Sequence, residues 1–261
     1  MKRTPMAALS LLLLPALGWT TGPLDGTWKA DLDKTRWPDK PDVFLLQNGS
    51  YACRTCVPQY TVKADGRDQP VTGHPYYDAV NIAIIDERTV LKSARREGKT
   101  VINEKFTVQE DGNTAIDEIT DSSATNSAPV VAKSELRRVS AGPPGSHAIS
   151  GSWRTRKVES SANSITVTFK TSGDTVSMTS PTGQSYSARL DGTQAPYGGD
   201  PGATSVSVRK LAENTIEETD RRGNAIITVI RWSVDADGRT IHVRFDDRQR
   251  GVITSMVGYK Q

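Results

Sequence analysis

The chain has 261 residues, 33 basic and 30 acidic side chains, three histidines and two cysteines. No Lys/Arg block is dense enough for a nucleic-acid backbone, so a nucleic-acid partner is excluded. Beyond the first apolar run no stretch approaches the length that crosses a bilayer, so no transmembrane segment is expected.

In chain order, Lys2 and Arg3 precede an apolar run from Met6 to Leu17 that includes Leu11-Leu12-Leu13-Leu14. A basic start followed by a short apolar run is the pattern of a secretory leader, and Ala16-Leu17-Gly18 offers the small residues a signal peptidase reads. Residues 1–18 are expected to be a signal peptide, with an uncleaved anchor as the alternative, and the mature protein to be exported, periplasmic or extracellular. Losing Lys2 and Arg3 leaves 31 basic against 30 acidic side chains, so the basic balance belongs mainly to the leader.

The remainder is written twice. Tyr60-Thr61-Val62-Lys63-Ala64-Asp65-Gly66 returns as Tyr186-Ser187-Ala188-Arg189-Leu190-Asp191-Gly192, an offset of 126. At that offset Pro70 meets Pro196, Gly73 meets Gly199, Phe106 meets Trp232 and Asp111-Gly112 meets Asp237-Gly238; Gly26-Thr27-Trp28 meets Gly151-Ser152-Trp153 one residue short of it. This period is too long for a solenoid and suits a whole small domain. Two domains are expected, 23–139 and 148–261, joined by the Gly/Pro-rich linker 140–147.

Within each copy the pattern is β. In the first, Phe44-Leu45-Leu46-Gln47 runs into the hairpin pair Asn48-Gly49. In the second, Ile165 to Lys170, Val176 to Met178, Tyr186 to Leu190, Val206 to Arg209, Ala225 to Val234 and Ile241 to Phe245 alternate apolar and polar residues between Gly-bearing turns. Such spacing predicts an antiparallel meander of about nine strands per copy. Closing each meander removes its exposed edges, so the fold class is all-β, two tandem antiparallel up-and-down barrels, with a flat sandwich as the competing solution. The core of copy two is expected to gather Trp153, Val167, Met178, Tyr186, Val208, Ile230, Trp232 and Val243.

Gly26-Thr27-Trp28 and Gly151-Ser152-Trp153 resemble the Gly-x-Trp opening of the lipocalin and fatty-acid-binding-protein superfamily, the calycins. Gly251 to Ser255 with Tyr259-Lys260 is similar to the closing strand of fatty-acid-binding proteins. The whole chain resembles exported bacterial proteins with two lipocalin-like domains. The resemblance implies barrels able to hold a small apolar or amphiphilic ligand. The sequence departs from the fatty-acid-binding pattern at two places. Asp31 to Pro38 is too short for the two-helix lid, and Val257 stands where the carboxylate-clamping Arg would be.

Cys53-Arg54-Thr55-Cys56 requires a turn at Arg54-Thr55 if the thiols are to join, because an extended strand holds such residues about 10 Å apart. The matching residues of copy two, Thr179 to Thr182, run into the turn sequence Ser180-Pro181-Thr182-Gly183. A structural disulfide in an exported protein is the favoured reading; free thiols and a redox or metal role are the alternatives. Pro58 and the strand after it leave no helix for a thioredoxin-type site, and no His follows Cys56 for haem attachment. His74, His147 and His242 are scattered and read as surface residues, so no metal, no cofactor and no catalytic residues are assigned. Candidate cavity residues are Tyr60, Glu104, Phe106, Tyr186 and Trp232. Glu104 shares a strand face with Ile102, Phe106 and Val108, and is either a polar anchor in a lumen or turned outward by a bulge.

These readings make the chain an exported non-enzymatic protein binding a small apolar or amphiphilic ligand in one or both barrels. The alternative is a structural or interaction protein of the cell envelope with solid-packed barrels and a protein partner of unspecified kind.

Overall fold

The computed structural model describes residues 22–124 and 128–261; the expected leader lies outside the described residues. The first repeat supplies β1 (Gly26–Arg36), β2 (Asp42–Gln47), β3 (Ser50–Cys53), β4 (Tyr60–Lys63) and β5 (Asp68–Pro70). It continues with β6 (Ala79–Ile84), β7 (Thr89–Arg96), β8 (Lys99–Val108), β9 (Thr114–Asp121) and β10 (Val130–Ala141). The second supplies β11 (Gly151–Ser160), β12 (Thr166–Ser172), β13 (Thr175–Thr179), β14 (Ser185–Arg189) and β15 (Asp191–Gly198). It ends with β16 (Ser205–Ala212), β17 (Thr215–Arg222), β18 (Ala225–Val234), β19 (Thr240–Asp247) and β20 (Val252–Lys260).

These strands form two antiparallel ten-stranded sheets. One is a closed barrel and the other is open only between β4 and β5. The all-β pair of barrels expected from the period-two pattern is therefore present, with one more strand in each than expected.

The division into barrels does not follow the repeats. β1 pairs with β12 on one side and β20 on the other, closing the second barrel. β11 pairs with β10 and β2, completing the first. Each repeat thus gives its opening strand to the other. Barrel 1 is β2 to β11, barrel 2 is β12 to β20 with β1, and residues 140–147 lie inside the β10–β11 hairpin and do not separate the domains. Trp153, expected in the core of copy two, is fully buried in barrel 1 beside Phe106 and Leu136, while Trp28 is buried in barrel 2.

The connectors account for the exchange. Trp37-Pro38-Asp39-Lys40-Pro41 joins β1 to β2, and two prolines in five residues disfavour the tight hairpin that would fold β1 back on β2. Residues 142–150 do turn β11 back on β10, with Gly142 N–H donating to Ser150 O at 3.1 Å and His147 N–H donating to Leu46 O at 2.9 Å. Arg138 secures this turn: its guanidinium donates to Gly112 O, Ser150 O and Ala148 O at 2.6–2.7 Å and stacks 4.0 Å from the Trp153 ring.

The Gly-x-Trp motif has the same local physics in both copies. Trp28 Nε1–H donates to Leu24 O at 2.7 Å and Trp153 Nε1–H to Ile149 O at 2.8 Å, so each indole enters its core with its polar atom satisfied. Gly26 and Gly151 have φ of 125° and 123°, and a Cβ on Gly151 would lie 2.2 Å from Ser140 O.

Cys53 and Cys56 form a disulfide with their α-carbons 5.5 Å apart, across the turn inferred from the sequence. Copy two makes the corresponding turn with Gly183 N–H donating to Ser180 O at 3.0 Å.

Candidate functional site

Each barrel buries ionisable side chains at corresponding positions of β7 and β17. Lys92 lies directly opposite Glu104 on β8, and the two form an ion pair whose side chains are 19% and 12% exposed. Glu104 therefore points inward, in line with Ile102 and Phe106, and no bulge turns it out. Asp117, opposite Phe106 on β9, adds a second acid to this lumen. Tyr51, Tyr60 and Phe106 pack around the group, with Phe44 edge-on to Phe106 at 5.9 Å and Phe106 edge-on to Trp153 at 5.5 Å.

At the offset of 126 Lys92 becomes Glu218, Glu104 becomes Ile230 and Ala94 becomes Asp220, so barrel 2 keeps a buried ionisable position and puts an acid where barrel 1 has a base. Glu218 is 1% exposed and accepts hydrogen bonds at Oε2 from Tyr186 Oη–H and Trp232 Nε1–H, both at 2.9 Å. Asp220 sits opposite Thr228 and accepts from its hydroxyl at 2.6 Å. Among the described residues neither carboxyl has a cation within ion-pair distance. The proposed cavity residues thus fall into two clusters, Tyr60, Glu104 and Phe106 in barrel 1, and Tyr186 and Trp232 in barrel 2. Sequence reasoning missed Lys92, Asp117, Glu218 and Asp220. Glu218 and Asp220 alternate with the polar Glu217, Thr219 and Arg221, while Lys92 stands between Val90 and Ala94 on its face but beside the apolar Leu91, which blurs the alternation.

Burial sets the protonation of these groups. Burial works against the Lys92 ammonium, but Glu104 with Tyr60 and Tyr51 outweighs it and holds Lys92 well above the ordinary lysine value. Burial, then the neighbouring Glu104, pushes Asp117 up to about 8. Burial, then Asp220, holds Glu218 well above the carboxylate range, against the hydrogen bonds from Tyr186 and Trp232. Asp220 is pushed up to about 6 by burial, against its bond from Thr228. A carboxyl whose folded pKa is raised stabilises most below its unfolded value, about pH 4, and loses that contribution as pH climbs through its folded value. The melting temperature is therefore expected to fall between about pH 4 and about pH 8, with Asp117→Asn flattening the whole of the fall and Asp220→Asn the part below about pH 6. A melting temperature that rises across this range would contradict the assignment.

The lumen of barrel 1 leaves little room. A cavity of about 10 Å³ lies against the ion pair, walled by Phe44, Tyr51, Ile82, Val90, Phe106 and Ile149. That is the threshold for one water molecule. The open seam between β4 and β5 is flanked by His74, stacked on Tyr77 at 4.6 Å and edge-on to Tyr60 at 5.6 Å. His74 is thus half-buried in an aromatic cluster, not a free surface residue, and burial, with the charge of Arg222, lowers its pKa. His242 is exposed and pairs with Asp235 at 3.0 Å.

No family model, no curated protein and no solved structure matches the chain. The barrel geometry and the paired Gly-x-Trp strands are consistent with tandem calycin-like barrels. They do not by themselves make the chain a lipocalin.

Three concavities larger than the one beside the ion pair lie on the outside. One of about 820 Å³ lies on the outer face of barrel 1, across β6 to β11. Two more, of about 390 and 320 Å³, adjoin on barrel 2 and share Arg36 and Ser255.

Proposed function

We propose that the chain is an exported, non-enzymatic interaction protein with calycin-like barrels that serve as solid scaffolds and outer faces that meet the partner. The observation that supports this reading is the filled lumen of barrel 1. Three of the residues nominated as cavity walls are engaged, Glu104 by Lys92, and Tyr186 and Trp232 by Glu218, while the buried Tyr60 hydroxyl has no hydrogen-bond partner. A pocket for a small molecule typically measures at least about 300 Å³, far above the void beside the ion pair. The buried ionisable groups also favour a scaffold, since an apolar ligand in either lumen would have to displace paired or hydrogen-bonded charges.

Native mass spectrometry of the protein purified from its own compartment, with a thermal-shift panel of fatty acids and phospholipids, tests this. The expected result is a bare polypeptide mass and no dose-dependent shift. A stoichiometric lipid adduct with saturable quenching of Trp232 fluorescence would return the function to the lumen.

A further inference from the structure

The outer faces of the two barrels are built on the same register and carry different charge. On barrel 1 a cross-strand row runs Leu91, Lys105, Glu118, Lys133, Glu159 over β7 to β11. Its charges alternate, so each lysine faces an acid on the next strand. On barrel 2 the matching row runs Glu217, Arg231, Arg244, Ser255, Arg36 over β17 to β20 and β1. Lys105 has become Arg231, but Glu118 has become Arg244, and Arg36 ends the row where barrel 1 has Glu159.

Like charges directly opposite one another across a sheet are unfavourable, so Arg231 facing Arg244 is a cost to the fold that barrel 1 avoids at the same positions. Such departures from local consistency mark places kept for a purpose other than stability. Arg231 is partly offset by Glu217 at 3.0 Å and Arg244 by Asp246 at 3.4 Å. The Arg36 side chain has no ion-pair or hydrogen-bond partner among the described residues. It is set out by an irregularity of β1 that lies between Asp31, opposite Val257, and Arg36, opposite Ser255. Lys34, on the same bulge, donates to the Tyr259 hydroxyl, pairs with Asp31 at 3.9 Å and lines the groove.

The row lies in the two adjoining depressions of barrel 2. Arg231, Arg244, Lys34 and Arg36 line the smaller, and Arg36 continues into the larger beside Trp37 and Lys40. Guanidinium groups offer forked donors that match carboxylates; Arg231 and Arg244 stand on adjacent strands, about 4.8 Å apart, and Arg36 two strands beyond Arg244. Trp37 is half-buried, so part of its indole remains available as an apolar platform at one end. The combination of spaced forked cations, a hydroxyl at Ser255 and an indole fits a chain of anionic sugars, whose rings have an apolar face and whose carboxylates recur along the chain. We infer that the groove formed by Lys34, Arg36, Trp37, Arg231 and Arg244 on the outer face of barrel 2 binds an acidic polysaccharide. This rests on the reading that the outer faces, not the lumens, do the binding.

Titrating the mature chain with hexagalacturonate, followed by calorimetry and Trp fluorescence, tests the inference. The expected result is saturable binding that weakens with added salt. Affinity should fall about tenfold or more in Arg36→Ala, in Trp37→Ala and in the double variant Arg231→Gln/Arg244→Gln, and stay within about twofold in the barrel 1 control Lys105→Ala. Unchanged melting temperatures in Arg36→Ala and Trp37→Ala would tie the losses to contact and not to folding. No saturable binding would overturn the inference. So would equal binding of neutral cellohexaose, equal losses in Lys105→Ala, or tighter binding of a deoxythymidylate oligomer or phosphatidylglycerol vesicles. A silent lipid panel with no hexagalacturonate binding removes this inference alone, whereas a lipid found in a lumen removes the scaffold reading itself.

Discussion

Replacing Trp28 by alanine is expected to unfold barrel 2 before barrel 1, at a cost of about 3–5 kcal/mol. Trp28 belongs to the first repeat, but its indole is 1% exposed in the core that also holds Phe169, Val208 and Ile241. Truncation leaves a cavity the size of an indole in a barrel whose closing strand the residue anchors, and it also removes the Nε1–H bond to Leu24 O. Hydrogen exchange should show lost protection over β12 to β20 and retained protection over β2 to β10. Trp153→Ala should give the reverse, because Trp153 packs on Phe106 in barrel 1. Loss of protection over β2 to β10 in Trp28→Ala would mean that each repeat closes on its own first strand.

Lys92→Met should destabilise barrel 1 by about 3–5 kcal/mol, because it leaves Glu104 without its partner in a lumen that already holds Asp117. The double change Lys92→Met/Glu104→Leu should recover most of the loss, since similar apolar volume replaces the pair and neither member is left without the other. Denaturant unfolding of the three proteins checks this. If Lys92→Met alone unfolded at the same denaturant concentration as the parent chain, the pair would be wet and of little weight. The buried acids of barrel 2 behave differently. Glu218 is held by two neutral donors and by no cation, so it has no ion-pair partner whose removal would strand a charge.

Much of the fold was legible in the sequence because the period-two pattern and the turn residues act locally. The offset of 126 showed two copies, and the Cys53–Cys56 turn could be argued from the Ser180-Pro181-Thr182-Gly183 stretch of the other copy. The strand exchange was not legible for a physical reason. Gly26-Thr27-Trp28 and Gly151-Ser152-Trp153 make the same bonds and fill the same kind of socket, so either strand satisfies either barrel. What selects between them is the reach of the connectors, above all Pro38 and Pro41 between β1 and β2, and a motif search does not weigh connectors. The lumen residues were half legible. Glu104 drew notice because it interrupts an apolar face; Lys92 also stands between Val90 and Ala94 on its face, but the exposed Leu91 beside it hides the alternation. The arginine row of barrel 2 was invisible, since Arg36, Arg231 and Arg244 are far apart in sequence and only the exchange of β1 brings Arg36 to the others.

The exchange can be tested by a single cut. A protease site placed in the loop 142–146 divides the chain between the repeats, with β1 and β11 left in opposite halves from the barrels they close. After cleavage the two halves are expected to co-elute as one particle on native size exclusion and to part only in denaturant. Halves that separate under native conditions, each still folded, would contradict the exchanged barrels.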